Sequence, residues 1–255
     1  GYAAVDYRRA GSMRIGGLEL RRVDVAVHDL PKAVSEPSNA PPIHGLLGLR
    51  AFTDVLLTID LEAAELRVVP YTRGLAANRA RVIQAESRSG QALLVPAEIG
   101  RWDTMVLLDT AADVGLLLHP PLSGYLIWSF GPVPAGRMVT PTGQGQLQRG
   151  RLAHDLRIGP HVIRRPIAMA PSQTPEVIAR APGEPLFGAP PDSILGAELL
   201  RRFVITIDQR KNLVRLTPKE DGPITMPPLK RIWFGAVTAW RGDAIHVTER
   251  LRTSD

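Results

Sequence analysis

The stretch Met105–Leu118, "MVLLDTAADVGLLL", is a run of aliphatic residues into which an acid, Asp109, is set, followed at once by Thr110, Ala111 and Ala112. Two readings fit this pattern. Either a strand ends at Leu108 and its turn takes a polar residue, or the acid does chemistry, which for a carboxylate means exchanging protons with a reacting group. Competing constellations are poorly formed. The absence of cysteine excludes thiolate nucleophiles, disulfides and Cys-ligated metals. His28, His44, His119, His154, His161 and His246 are scattered without His-Glu-x-x-His spacing and read as surface or loop residues. No Gly-x-Ser-x-Gly elbow occurs, and "GQGQLQRG" lacks both the glycine spacing and the Lys-Ser/Thr of a phosphate loop. No metal and no cofactor is called for.

The elements that would hold Asp109 belong to a turn-rich chain. With 255 residues and 44% hydrophobic content it can bury a substantial core, and two lobes are plausible. Its 23 glycines and 23 prolines make it rich in turns, and no apolar run approaches the roughly 20 residues of a transmembrane helix. The net charge of +6 is spread as arginines along the chain without a dense basic block or interleaved aromatics, which argues against a nucleic-acid partner.

Internal similarity organises the chain. "MRIGGLELRRVDVAV" (Met13–Val27) aligns without gaps on "LRIGPHVIRRPIAMA" (Leu156–Ala170) at an offset of 143. "LLGLRAFTDVLLTIDLEAAELRVVP" (Leu46–Pro70) aligns on "ILGAELLRRFVITIDQRKNLVRLTP" (Ile194–Pro218) at an offset of 148. The difference falls in a proline-rich interval of both copies, where length changes are best tolerated. Both halves read as mainly β: "LELRRVDVAV" alternates in its second part, and "FVITID" is a β-branched run of strand length. "AELLRRF" favours one or two helical turns, with "GLRAF" as its match. "DLEAAE" and "DQRKN" supply polar turns, so each half closes in a hairpin. Asp60 and Asp208, at the ends of the two "TID" runs, read as turn-positioning acids. "YTRGLAANRARVIQAESRSGQ" has no apolar period and reads as a connection with one helical turn, the boundary falling near Ser89.

With the acid-bearing strand in front, these residues resemble the retropepsin-like and pepsin-like aspartic peptidases, in particular two-lobed bacterial members. Each lobe of that family carries a strand ending in Asp-Thr/Ser-Gly, a flap hairpin, and a hydrophobic-hydrophobic-Gly motif before a short helix. The matching residues are "LLDTAA" (Leu107–Ala112), Ile194-Leu195-Gly196, and Leu46-Leu47-Gly48, over roughly residues 1 to 220. One departure is Ala111, where the family has glycine. A methyl group there weakens the inference of activity, because glycine better tolerates close approach and unusual dihedrals.

The resemblance implies an all-β fold of two related acid-protease lobes, the first incomplete. It implies Asp109 as one member of a catalytic pair, Thr110 as a loop brace, and peptide-bond hydrolysis by carboxylate-activated water without metal. Counted back by 143 residues, the counterpart of Asp109 falls upstream of Gly1. The hairpin within Val139–Gly150 suits the flap, with Thr142, Gly143, Gln144 and Gly145 as candidate substrate-binding residues and Gly143 and Gly145 as its flexible tip. A polypeptide substrate follows, and a periplasmic or exported location is implied by the resemblance alone. A homodimer that supplies a second Asp109 is conceivable, but the first-half residues make it awkward. An alternative is a cleft that binds extended peptides without cutting them, for which Ala111 is the supporting feature. A bare structural scaffold is a third reading. Residues 1–70 are thus expected as the end of a first lobe, 71–89 as a connection, and 90–222 as the second lobe. In 223–255, "IWFGAVTAWRGDAIHVTERL" resembles the start of a PDZ domain, with two strands around "RGDA".

Overall fold

The computed structural model describes residues 6–27, 44–45, 47–77, 79, 81–88, 92–140, 143–171, 193–226, 230–233, 236–241 and 244–250. The chain is all-β, as expected. Its first part holds β1 (Asp6–Ile15) and β2 (Leu18–Val27), then a 3-10 turn at Leu49–Phe52, then the hairpin β3 (Val55–Asp60) and β4 (Glu65–Pro70). Next come β5 (Val82–Gln84), β6 (Glu86–Arg88), β7 (Ala92–Ile99), β8 (Trp102–Leu108), β9 (Leu116–Leu118) and the one-turn helix α1 (Pro120–Ser123). A long hairpin, β10 (Trp128–Thr140) and β11 (Gly143–Leu152), leads to β12 (Leu156–Ile158), β13 (His161–Arg164) and β14 (Ile167–Pro171). After these stand β15 (Ser193–Leu195), helix α2 (Ala197–Leu200), β16 (Phe203–Asp208), β17 (Leu213–Pro218) and β18 (Ile224–Thr225). The last strands, β19 (Lys230–Trp233), β20 (Ala236–Arg241) and β21 (Ala244–Arg250), form an antiparallel sheet. No described helix is long and apolar enough to cross a membrane.

Two sheets matter for the site. The larger has strand order β10-β11-β14-β9-β15-β8-β7-β12-β13-β18, with β6 paired to β7. β7 is buried at Ala92, Leu93, Leu94, Val95, Ala97 and Ile99, so its first four residues face the core without alternating. The second sheet, β4-β3-β16-β17-β5, is shared by the two aligned blocks. In it, Thr58 lies opposite Thr206, residues 148 apart, and their hydroxyl oxygens are 3.3 Å from each other. One apolar core runs from Phe52 and Leu57 through Val95, Val106, Leu116 and Leu195 to Phe203 and Leu216.

The aligned blocks adopt matching elements. The 3-10 turn, β3 and β4 fall at the same block positions as α2, β16 and β17. Backbone signs match too: Gly16 and Gly159 have φ of 56° and 53°, Arg22 and Arg165 of 54° and 39°, and Ala64 and Asn212 of 52° and 51°. Left-handed non-glycine residues are uncommon, so their recurrence at matched positions reflects the same turns in both blocks. The connection over 71–89 differs from expectation. Among its described residues it holds no helix, but two three-residue strands, β5 and β6. Pairing with β17 and β7 makes strands of segments too short to carry a period of their own.

Candidate active site

The acid's position follows from how three strands are threaded. β8 delivers the chain to Asp109, and β9 brings it back seven residues later, but the two do not pair with each other. β15 is inserted between them, parallel to β8 and antiparallel to β9. Residues 109–115 must therefore cross over the end of β15, which is why Gly196 follows Leu195. A Cβ on Gly196 would collide with the carbonyl oxygen of Val114 and lie 2.6 Å from that of Ala112. The Gly196 φ of −99° is ordinary, so close approach rather than left-handed backbone demands the glycine.

Backbone hydrogen bonds fix the crossing loop. Asp109 N–H donates to Leu195 O at 3.0 Å, extending the β8–β15 ladder by one residue. Gly196, Ala197 and Glu198 donate to the carbonyls of Gly115, Ala112 and Val114 at 2.9, 2.8 and 3.1 Å. The motif Ile194-Leu195-Gly196 thus grips the acid-bearing loop from beneath, with Leu195 fully buried. Asp109 itself is half-buried, and its Oδ1 accepts the N–H of Ala111 at 2.9 Å. That bond aims the carboxylate at its own turn through Oδ1. Thr110 and Ala111 are exposed. Ala111 is not among the non-glycine residues with positive φ, so its methyl group imposes no left-handed strain on the loop.

The flap candidates lie on the long hairpin, which starts at Trp128 rather than near Val139. Thr140 pairs with Gly143, Val139 with Gln144 and Met138 with Gly145. Thr142 lies outside the described residues. Gly143 and Gly145, expected at the tip, instead sit in the ladder of β11.

Two features of the hairpin base were not visible in the sequence. Arg149 on β11 makes an ion pair of 3.2 Å with Glu198 on α2, linking the hairpin to the helix that follows Gly196. Gly150 is packed under the Trp128 ring, where a Cβ would meet ring carbon at 2.5 Å. Neither has a local signal, because partners 49 residues apart in the first case are joined only by the fold.

Asp60 and Asp208 serve turns, in keeping with their reading. Asp60 Oδ1 accepts the N–H groups of Glu62 and Ala63 at 3.1 and 3.0 Å and the Lys219 ammonium. The Ala63 bond, then Lys219, holds its carboxyl below the usual aspartate range. Asp208 is fully buried and accepts Lys211 N–H at 3.2 Å, Leu75 N–H at 2.8 Å and the Tyr71 hydroxyl at 3.2 Å. His161 departs from the surface reading of the histidines. It is 8% exposed, edge-on to Phe203, and burial pushes its pKa down. An open groove lined by Glu98, His154, Asp155, Arg157, Arg164 and Arg165 lies by the β7–β8 turn, at the far end of β8 from Asp109. Among the described residues no cluster of His, Asp or Glu is arranged to hold a metal.

No protein-family model matches the chain, and no curated protein matches it. Among solved structures, a retropepsin-like aspartic protease from Rickettsia conorii is similar over 53% of this chain and 87% of that one, at 20% sequence identity and a TM-score of 0.37.

Proposed function

We propose that this chain is part of an aspartic endopeptidase in which Asp109 is one of two carboxylates that activate water against a peptide bond. The observation that carries the reading is the crossing loop. An acid set at the end of the half-buried strand β8 is held half-exposed by a loop whose backbone is bonded to the end of β15 and to the residues that follow it. A turn that merely needed a polar residue would not require the Gly196 approach or the three N–H donors beneath it.

The chemistry needs a second carboxylate. Two acids about 3 Å apart cannot both ionise readily, so they share a proton, and one acts as base on water while the other protonates the leaving amide. The pair titrates as a unit. A two-lobed arrangement is supported by the matched elements, the matched left-handed residues, and the opposition of Thr58 and Thr206 at the centre of the shared sheet. On that arrangement the second acid belongs to a strand packed on the first half, upstream of Gly1 by the offset of the blocks. The β10–β11 hairpin is the flap that closes on an extended peptide, and β19–β21 is the opening of a PDZ-like module.

The test is cleavage of a denatured protein between pH 3 and pH 8 by a chain extended upstream, beside its Asp109→Asn variant. Cleavage by the first and at least a ~10³-fold loss in the second, with unchanged thermal unfolding, is expected for a group that acts in the transition state. A folded extended protein that binds peptide but cuts nothing at any pH would favour the peptide-binding alternative instead.

A further inference from the structure

The groove by the β7–β8 turn is rich in cations. About 770 Å³ in volume, it is lined by Arg157, Arg164 and Arg165, all exposed, together with the half-buried Glu98 and Asp155. Arg151 lies beside it and donates to the Arg165 carbonyl at 3.0 Å. Burial lowers the pKa of Arg151, and the Arg165 charge lowers it further. The two acids offset this charge only in part. Asp155 Oδ1 already accepts the Arg165 N–H at 3.0 Å, and Glu98 stands across from Arg157 in the β7–β12 register. Among the described residues, none of the three lining guanidinium groups forms an ion pair.

The aligned blocks show what is missing. Arg14, Arg21 and Arg22 occupy the positions of Arg157, Arg164 and Arg165 at the offset of 143. In the first half Arg21 pairs with Glu19 at 3.4 Å. The counterpart of Glu19 is Val162, itself a lining residue, so Arg164 lacks that acid within its own hairpin. An apolar rim adjoins the charges through two further lining residues, Gly100 and Ala153. Ala153 N–H donates to Ile127 O at 2.8 Å. Two residues after Gly100, the Trp102 ring lies 5.3 Å from that of Tyr125 and 5.1 Å from the Arg101 guanidinium carbon. Tyr125 and Ile127 are 66% and 63% exposed. Aromatic residues and arginine are the types enriched where proteins contact one another.

We propose that the groove and its rim are a docking site for an acidic polypeptide segment, whose carboxylates meet Arg157, Arg164 and Arg165 while an apolar side chain rests on the rim. The site lies at the far end of β8 from Asp109 and does not depend on the peptidase reading. Carboxylates match the guanidinium fork with two parallel hydrogen bonds, so an external acid takes the place that Glu19 fills in the first half. Glu98 and Asp155 decide between polyanions. A nucleic-acid strand would bring its repeating phosphates past both carboxylates, whereas the N–H groups of a peptide can donate to them. A lone phosphate would leave Tyr125 and Ile127 uncovered.

The test is calorimetric titration of the whole chain with a short peptide of glutamates around one leucine. Beside it run the same peptide with glutamine for glutamate, a single-stranded oligonucleotide of equal charge, and inorganic phosphate. The glutamate peptide should bind at least ~10-fold more tightly than the other three and weaken as salt rises from about 50 mM to about 300 mM. It should shift the amide resonances of Gly100, Ala153 and Arg165 and leave that of Gly196 in place. Val162→Glu gives Arg164 an acid as Glu19 gives Arg21 one, and should weaken binding about 10-fold or more, as the exposed pair Arg157→Gln with Arg164→Gln should. Arg21→Gln should bind like the parent. If Val162→Glu does not fold, the arginine pair decides alone. Equal binding of the glutamine peptide, no binding at all, or full binding by the folded variants would overturn the proposal. Tighter binding of the oligonucleotide would give the face to nucleic acid, and phosphate matching the peptide would reduce it to a simple anion site; either result also overturns it.

Discussion

Asp109 and the residue two places after it set what can be expected from single substitutions. The donor to Asp109 Oδ1 is the main-chain N–H of Ala111, so the bond survives any residue at position 111 except proline. Because Ala111 is exposed and lacks positive φ, Ala111→Gly should leave the loop in place and cost only about 0.5–1 kcal/mol of stability through the entropy of the unfolded chain. Urea unfolding checks this, and a gain in stability would mean that the methyl group is strained after all. His161 belongs to the same scale. Burial, and secondarily Arg81, holds its pKa below the ordinary 6.5, with a backbone bond at Leu216 opposing them. The unfolded chain therefore takes up the proton first as pH falls, so stability drops as pH falls through about 6.5 toward the folded-state value. His161→Leu should flatten the fall in melting temperature between pH 7 and pH 5, relative to the parent. Equal slopes for the two proteins would exclude His161 as the cause.

At the scale of elements, the crossing loop depends on one glycine. Gly196→Ala adds a methyl group against the carbonyls of Val114 and Ala112, both fixed by hydrogen bonds, so nothing nearby can yield cheaply. Overpacking of this kind costs about 1–3 kcal/mol, and it should also loosen the amides of Asp109 and Ala112 in exchange measurements. An alanine variant with parental stability would mean that the loop moves away freely. The need for this glycine was legible in the sequence only as part of the Ile-Leu-Gly pattern. Its cause was not, because it lies in β15 being inserted between β8 and β9, strands about 85 residues earlier in the chain. What was legible had local causes: β-branched runs such as "FVITID" became β16, and the polar turns after Asp60 and Asp208 became hairpins. What was not legible had distant ones. β5 and β6 are strands by virtue of their partners, Gly143 and Gly145 are paired because Thr140 and Met138 lie across from them in the hairpin, and His161 is buried because Phe203 packs across it.

For the whole molecule, the decisive feature is the ladder between β3 and β16. It joins residues from the two aligned blocks inside one sheet, and Leu57, opposite Ile207, is 2% exposed in a core that continues to Val95 and Val106. Blocks that share both a sheet and a core have no boundary at which one could open while the other persists. Ile207→Ala removes buried side chain on the β16 side of this ladder and should destabilise by about 2–4 kcal/mol, with the cavity left at the junction itself. If the blocks unfold together, the slowest amides of β3 and of β7 lose protection by the same free energy in native-state exchange, although only β3 touches the mutated strand directly. Loss of protection at Leu57 with Val95 unchanged would instead make the first block a separately opening unit.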